Sequence, residues 1–88
     1  MNNYEMMNEI TKETKVEQET CRMVLKAYEK YGEKNVLRMK AKHMEGIVGY
    51  IHEETSIPSV EVESVMSTFF KTTRREIRNR VPFVKKEN

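Results

Sequence analysis

Aspartate is absent from this chain, cysteine occurs once and histidine twice. The missing aspartate removes the usual carboxylate partner of a catalytic histidine, and His43 and His52 lie nine residues apart, not at the i, i+4 spacing that sets two ligands on one helix face. A single cysteine, Cys21, can neither close an internal disulfide nor join a cysteine cluster around a metal. Glu53 and Glu54 are neighbours and point apart on a helix, so they do not read as an acid/base pair. No glycine-rich phosphate loop or nucleophile motif occurs. The expectation is a protein that is not an enzyme and needs no cofactor or metal, with Cys21 a packing residue and the histidines solvent-facing or capping.

Long apolar runs are missing too. No segment approaches the roughly 20 apolar residues needed to cross a bilayer, and Asn2, Asn3 and Glu5 differ from the basic start of a secretion signal. With one cysteine favouring a reducing compartment, the expected location is cytoplasmic.

Three glycines and two prolines are few interruptions for 88 residues. Apolar residues recur at helical spacing almost throughout, which predicts an all-α chain of one domain over residues 1–84 and a disordered tail at 85–88. Met6, Met7 and Ile10 share one face of a first helix that Asn3 can cap and that ends near Thr14. A second helix from near Glu17 carries Cys21, Val24, Leu25, Tyr28 and Tyr31. Gly32 either ends it or is carried inside it, and residues 32–42 remain open between helix, strand and loop. A third helix is expected from Ala41 to Glu54, with Met44, Ile47, Val48 and Ile51 on its apolar face. Pro58 sits at a helix start, and the fourth helix presents Val62, Val65, Met66, Phe69, Thr73 and Ile77. Pro82 ends that helix before a short strand or extended tail.

The stretch ITKETKVEQ at residues 10–18 reappears as IHEETSIPS at 51–59. Sliding the chain by 41 residues pairs Met6 with Ile47, Met7 with Val48, Ile10 with Ile51, Val24 with Val65, Leu25 with Met66 and Tyr28 with Phe69, apolar against apolar each time. Units of about 3–38 and 44–79, each a short helix, a turn and a long helix, then form a four-helix arrangement of two tandem hairpins. The pairing fits a duplication and also the general likeness of two amphipathic hairpins. Neither unit can bury its apolar face alone. The expected core and interface comprise Met6, Met7, Ile10, Val24, Leu25, Tyr28, Ile47, Val48, Ile51, Val62, Val65, Met66, Phe69 and Ile77, in a monomeric pseudo-dimer or a homodimer.

The segment MEGIVGYIHEETSIPSVEVESVMSTFFKTTRREIRNRVPF resembles the N-terminal helical hairpin of the HU and IHF family of DNA-bending proteins. Thr55, Ser56 and Ile57 stand at that family's turn, and Val62, Val65, Met66, Phe69 and Phe70 match the apolar positions of its second helix. MNNYEMMNEITKETKVEQETCRMVLKAYEKYG resembles the same hairpin. The family grips DNA with a β-saddle and two arms that follow the hairpin, and only five residues follow Phe83. The resemblance therefore implies the helical body without the DNA-gripping part, and none of the family's DNA-binding residues carries over.

Charge is unevenly placed. Residues 44–70 hold five glutamates and no lysine or arginine, whereas residues 71–88 hold seven basic side chains against Glu76 and Glu87. Lys71, Arg74, Arg75 and Arg78 fall on one arc of a helical wheel, extended by Arg80, Lys85 and Lys86, and form a candidate stripe for nucleic acid or an acidic partner. Seven methionines are the other distinctive feature; Met6, Met7, Met39, Met44 and Met66 lie on or beside the apolar faces, as a pliable core or as a protein-binding surface. Together these features point to a small non-catalytic regulator acting by protein–protein interaction. An inhibitor or adaptor of a cellular factor, of the kind bacteria and phages encode, fits this description, and an HU-like protein is one expected target. The alternative is nucleic-acid binding through the basic stripe, without sequence-specific readout.

Overall fold

Two short-range devices, written twice, shape the chain. The computed structural model describes residues 3–80, with side chains described for residues 4–77. Helix α1 spans Asn3–Thr14, α2 Gln18–Lys34, α3 Met44–Thr55 and α4 Ser59–Arg80; two single 3-10 turns, Val36–Arg38 and Ala41–His43, join α2 to α3. No strand occurs among the described residues, so the fold is all-α.

At the end of α1 the Thr14 hydroxyl donates to the Ile10 carbonyl at 2.8 Å and accepts from the Val16 amide at 3.2 Å. Lys15 takes a left-handed conformation, φ 63°, while its amide still bonds the Thr11 carbonyl at 2.8 Å. At the end of α3 the same set appears 41 residues on. Thr55 donates to Ile51 at 2.7 Å and accepts from Ile57 at 3.2 Å, and Ser56 has φ 65° with its amide on His52 at 2.8 Å. This is the left-handed helix cap, filled by residues that carry a Cβ and bear a cost of roughly 1–2 kcal/mol for the conformation. The match extends to the next helix, where Cys21 donates to the Glu17 carbonyl and Val62 to the Pro58 carbonyl, both at 3.0 Å. We expect Lys15→Gly and Ser56→Gly each to raise stability by about 0.5–1 kcal/mol. Urea denaturation of the two variants checks this, and destabilisation by either would contradict the cap geometry.

Packing follows the same exchange. Helix α1 contacts α2 and α4, α3 contacts α4 and α2, and α2 contacts α4. Swapping α1 with α3 and α2 with α4 leaves this set unchanged. Five pairs of positions 41 apart are buried on both sides, namely Ile10 with Ile51, Cys21 with Val62, Val24 with Val65, Ala27 with Thr68 and Tyr31 with Thr72. The remaining buried residues, Ile47, Ile57 and Met66, have half-buried counterparts in Met6, Val16 and Leu25. Cys21 is fully buried, within 3.5 Å of the Thr11 hydroxyl, as a packing residue.

Some sequence-based expectations are corrected here. Ile77 is 58% exposed and not in the core, as is Val36, its partner by offset, at 68%. Val36 lies past the end of α2 and Ile77 at the equivalent height on α4, beyond the layers that cover the centre of each long helix. The buried face of α4 instead turns through Thr68 and Thr72. Residues 41–43 form a 3-10 turn, so α3 begins at Met44 and not at Ala41. Gly32 lies inside α2, and Pro58 precedes the first residue of α4, its carbonyl accepting from Glu61 and Val62. The expected C-terminal strand or extended tail and the disordered tail at 85–88 lie outside the described residues.

Candidate protein-docking groove

The described methionines differ in surroundings. Met66 is fully buried, Met44 is half-buried against the core, and Met23 is exposed. Met6 of α1 and Met39 of the linker also pack against the core on one side, and with Met7 they line an open concavity of about 510 Å³. Its other walls are Leu25 and Tyr28 of α2 and Phe69 of α4, with Arg22, Lys26 and Glu29 at the edge.

Each wall has a local cause. Tyr28 and Phe69 occupy equivalent positions on the two long helices and meet edge-on, with ring centroids 5.5 Å apart. The Tyr28 hydroxyl donates to the Met39 carbonyl at 2.5 Å, which ties the linker to α2. Burial, and secondarily Tyr31, pushes the Tyr28 phenol above its ordinary value. Gly32 lets Met39 lie across the helix, since a Cβ at position 32 would overlap the Met39 methyl carbon and sulfur. On the far side of Met39 a shallower hollow of about 310 Å³ continues past Lys40, Ala41, Phe70, Thr73, Arg74 and Ile77. Exposed Ile77, removed from the expected core, thus borders a surface hollow.

The basic stripe is split by its neighbour α1. Lys71 pairs with Glu13 at 3.2 Å, and Arg75 approaches Glu9 and Glu13 at 3.8 Å each. Arg74 is exposed beside the second hollow. Arg78 and Arg80 lie on α4 with side chains outside the described set, and Lys85 and Lys86 lie outside the described residues. Two of the seven expected cations are therefore balanced by glutamates of α1. Across the molecule Lys30 pairs with Glu54 at 2.7 Å. Lys30 and Lys71 are 41 apart, as are Glu13 and Glu54, so the two ion pairs are reciprocal, residue for residue.

The hydrogen bond from Lys71 is the main influence holding the Glu13 carboxyl below its ordinary 4.5. A lowered carboxyl contributes stability above pH 4.5 that is lost as pH falls through the folded value. In Lys71→Met, Glu13 is expected to titrate closer to 4.5, read by carboxyl carbon NMR; an unchanged titration would contradict the pairing. Lys30 is held above its ordinary 10.5, first by its hydrogen bond to Glu54. Its contribution is complete below pH 10.5 and is lost as pH rises through the folded value.

The His52 ring contacts the Ile57 carbonyl at 2.7 Å, so its Nδ1 carries the proton and serves the turn. Among the described residues no three of His, Cys, Asp and Glu come together, and no helix is long and apolar enough to cross a membrane. Compared with protein-family models, with characterised proteins and with solved structures, the chain matches none.

Periodicity places the groove residues Met6, Met7, Leu25, Tyr28 and Phe69 in one apolar set of core and interface, without separating the two. Their partial exposure depends on how α1, α2 and α4 splay, which periodicity does not encode. Met39, expected on or beside an apolar face, lies in the linker between the two 3-10 turns. The reciprocal ion pairs were readable, since both lysines and both glutamates recur at the offset.

Proposed function

We propose that this chain is a non-catalytic regulatory protein that works by protein–protein contact, holding its partner in the methionine-lined groove between α1, α2 and α4. The observation that carries the reading is the uncovered apolar floor of Leu25, Tyr28 and Phe69, walled by three methionines. Methionine adapts to irregular surfaces, and an open apolar concavity gains free energy when a partner removes it from water. The resemblance of both hairpins to the HU and IHF body makes an HU-like protein a candidate partner. Core residues of all four helices are already buried in one cluster, so such a partner would meet the groove and would not replace a helix. The test is capture from a nuclease-treated bacterial lysate at high salt, with the wild type beside Leu25→Glu. A protein retained by the first and lost by the second supports the reading; equal retention by both overturns it.

A second reading, nucleic-acid binding through Lys71, Arg74, Arg75, Arg78, Arg80, Lys85 and Lys86, draws support from the exposure of Arg74. The glutamates beside Lys71 and Arg75 weaken it by repelling phosphate. It requires steep loss of binding with salt, and loss on replacing Arg74, Arg75 and Arg78 by Ala. Binding that survives those substitutions would remove it.

A further inference from the structure

The 41-residue correspondence shows what the groove lacks. Met6 and Leu25 are half-buried, whereas their counterparts Ile47 and Met66 are fully buried. Glu29 is exposed at the groove edge where the second half carries Phe70. The Phe70 ring stands edge-on to Tyr28 at 5.8 Å and to Phe69 at 5.7 Å. The second half thus supplies its own third ring to the aromatic pair, and the first half supplies a carboxylate at the same position.

We propose that the groove receives an aromatic side chain from an acidic amphipathic helix of a partner protein, which completes on this side the cluster that Phe70 completes on the other. The inference rests on the docking reading above and names the chemistry of the partner. A third edge-on ring gains contact energy beyond its buried area. The walls are helices, and no strand edge exists among the described residues for an extended segment to join, so a helix laid in a groove is the mode that fits. Lys26 stands at the edge of this groove and Lys40 and Arg74 at its continuation past Met39, with Glu29 the one acidic residue along both among the described residues, so acidic flanks suit the partner. The Phe83 segment, of this chain or of a second copy, suits the place poorly because Lys85 and Lys86 bring the wrong charge to a groove edged by Lys26, Lys40 and Arg74.

The test uses synthetic capped peptides of about 16 residues, long enough to form a helix. One carries a Phe and two Leu on a single face with flanking Glu, one replaces the Phe by Ala, and one replaces the flanking Glu by Lys. Binding is followed by fluorescence anisotropy and by amide shifts of the full chain. The Phe peptide is expected to shift Leu25, Tyr28 and Phe69, the Ala peptide to bind at least about tenfold more weakly and the Lys-flanked peptide about threefold more weakly. Glu29→Phe installs the missing ring in the protein itself and is expected to abolish peptide binding while melting no lower than wild type. An Ala peptide that binds as well, shifts elsewhere on the surface, or undiminished binding by Glu29→Phe would overturn the inference. Failure of all peptides, with a lysate protein still lost on Leu25→Glu, overturns the aromatic helix alone; equal lysate capture by Leu25→Glu overturns the docking reading beneath it.

Discussion

Ile51→Ala is expected to remove about 2–5 kcal/mol of folding stability, and Ile10→Ala a similar amount. Both side chains are fully buried, each one turn before the threonine cap of its helix, and each deletion leaves a cavity in the shared core. A domain of this size has about 5–15 kcal/mol in total, so either loss takes a large share and lowers the melting temperature by roughly 10 °C or more. The two positions are equivalent by the 41-residue offset, so their costs should agree within about 1 kcal/mol, well inside the spread seen for such deletions. Thermal and urea unfolding of both variants measure this. A cost below about 1 kcal/mol for one with several for the other would show that the halves do not share one core in the equivalent way described.

Cutting the chain in the linker has the second large effect. Residues 1–43 and 44–88, prepared separately, are each expected to fail to fold as monomers and to recover the helicity of the intact chain when mixed in equal amounts. Each fragment is about the size below which a chain usually needs disulfides, a metal or association to fold. One core holds Ile10 and Val24 of the first fragment together with Ile51 and Val65 of the second, and the ion pairs Lys30 with Glu54 and Lys71 with Glu13 run between them. Circular dichroism and sedimentation of the fragments and their mixture decide the matter. A fragment that melts cooperatively as a monomer would contradict the mutual dependence of the halves.

The all-α fold and the places of its four helices were legible in the sequence because amphipathic periodicity sets which faces must leave water. Ile10, Val24, Ile51 and Val65 sit at positions any helical wheel selects. Periodicity could not distinguish Thr72, which is buried, from Ile77, which is exposed, because that difference depends on where the packed layer ends. The positive φ of Lys15 and Ser56 was hidden because neither is the glycine or asparagine that usually marks a left-handed cap. For the site, the residue types were visible and their assembly was not. Lys71 and Arg75 read as a free basic face on α4 alone, and only the placement of α1 beside it brings Glu9 and Glu13 into range. The contrast between Glu29 and Phe70 likewise acquires meaning once Tyr28 and Phe69 are seen to meet between them.

On the proposed reading the groove is the working surface of the molecule. The most direct measurement places a photoreactive benzoyl-phenylalanine at position 25, in the groove, and in a second version at position 60, where Val60 is exposed on α4 and outside both hollows. Both proteins are irradiated in a nuclease-treated bacterial lysate. One protein is expected to cross-link through position 25 and to be absent from position 60. Equal cross-linking from both positions, or cross-linking from position 60 alone, would contradict it.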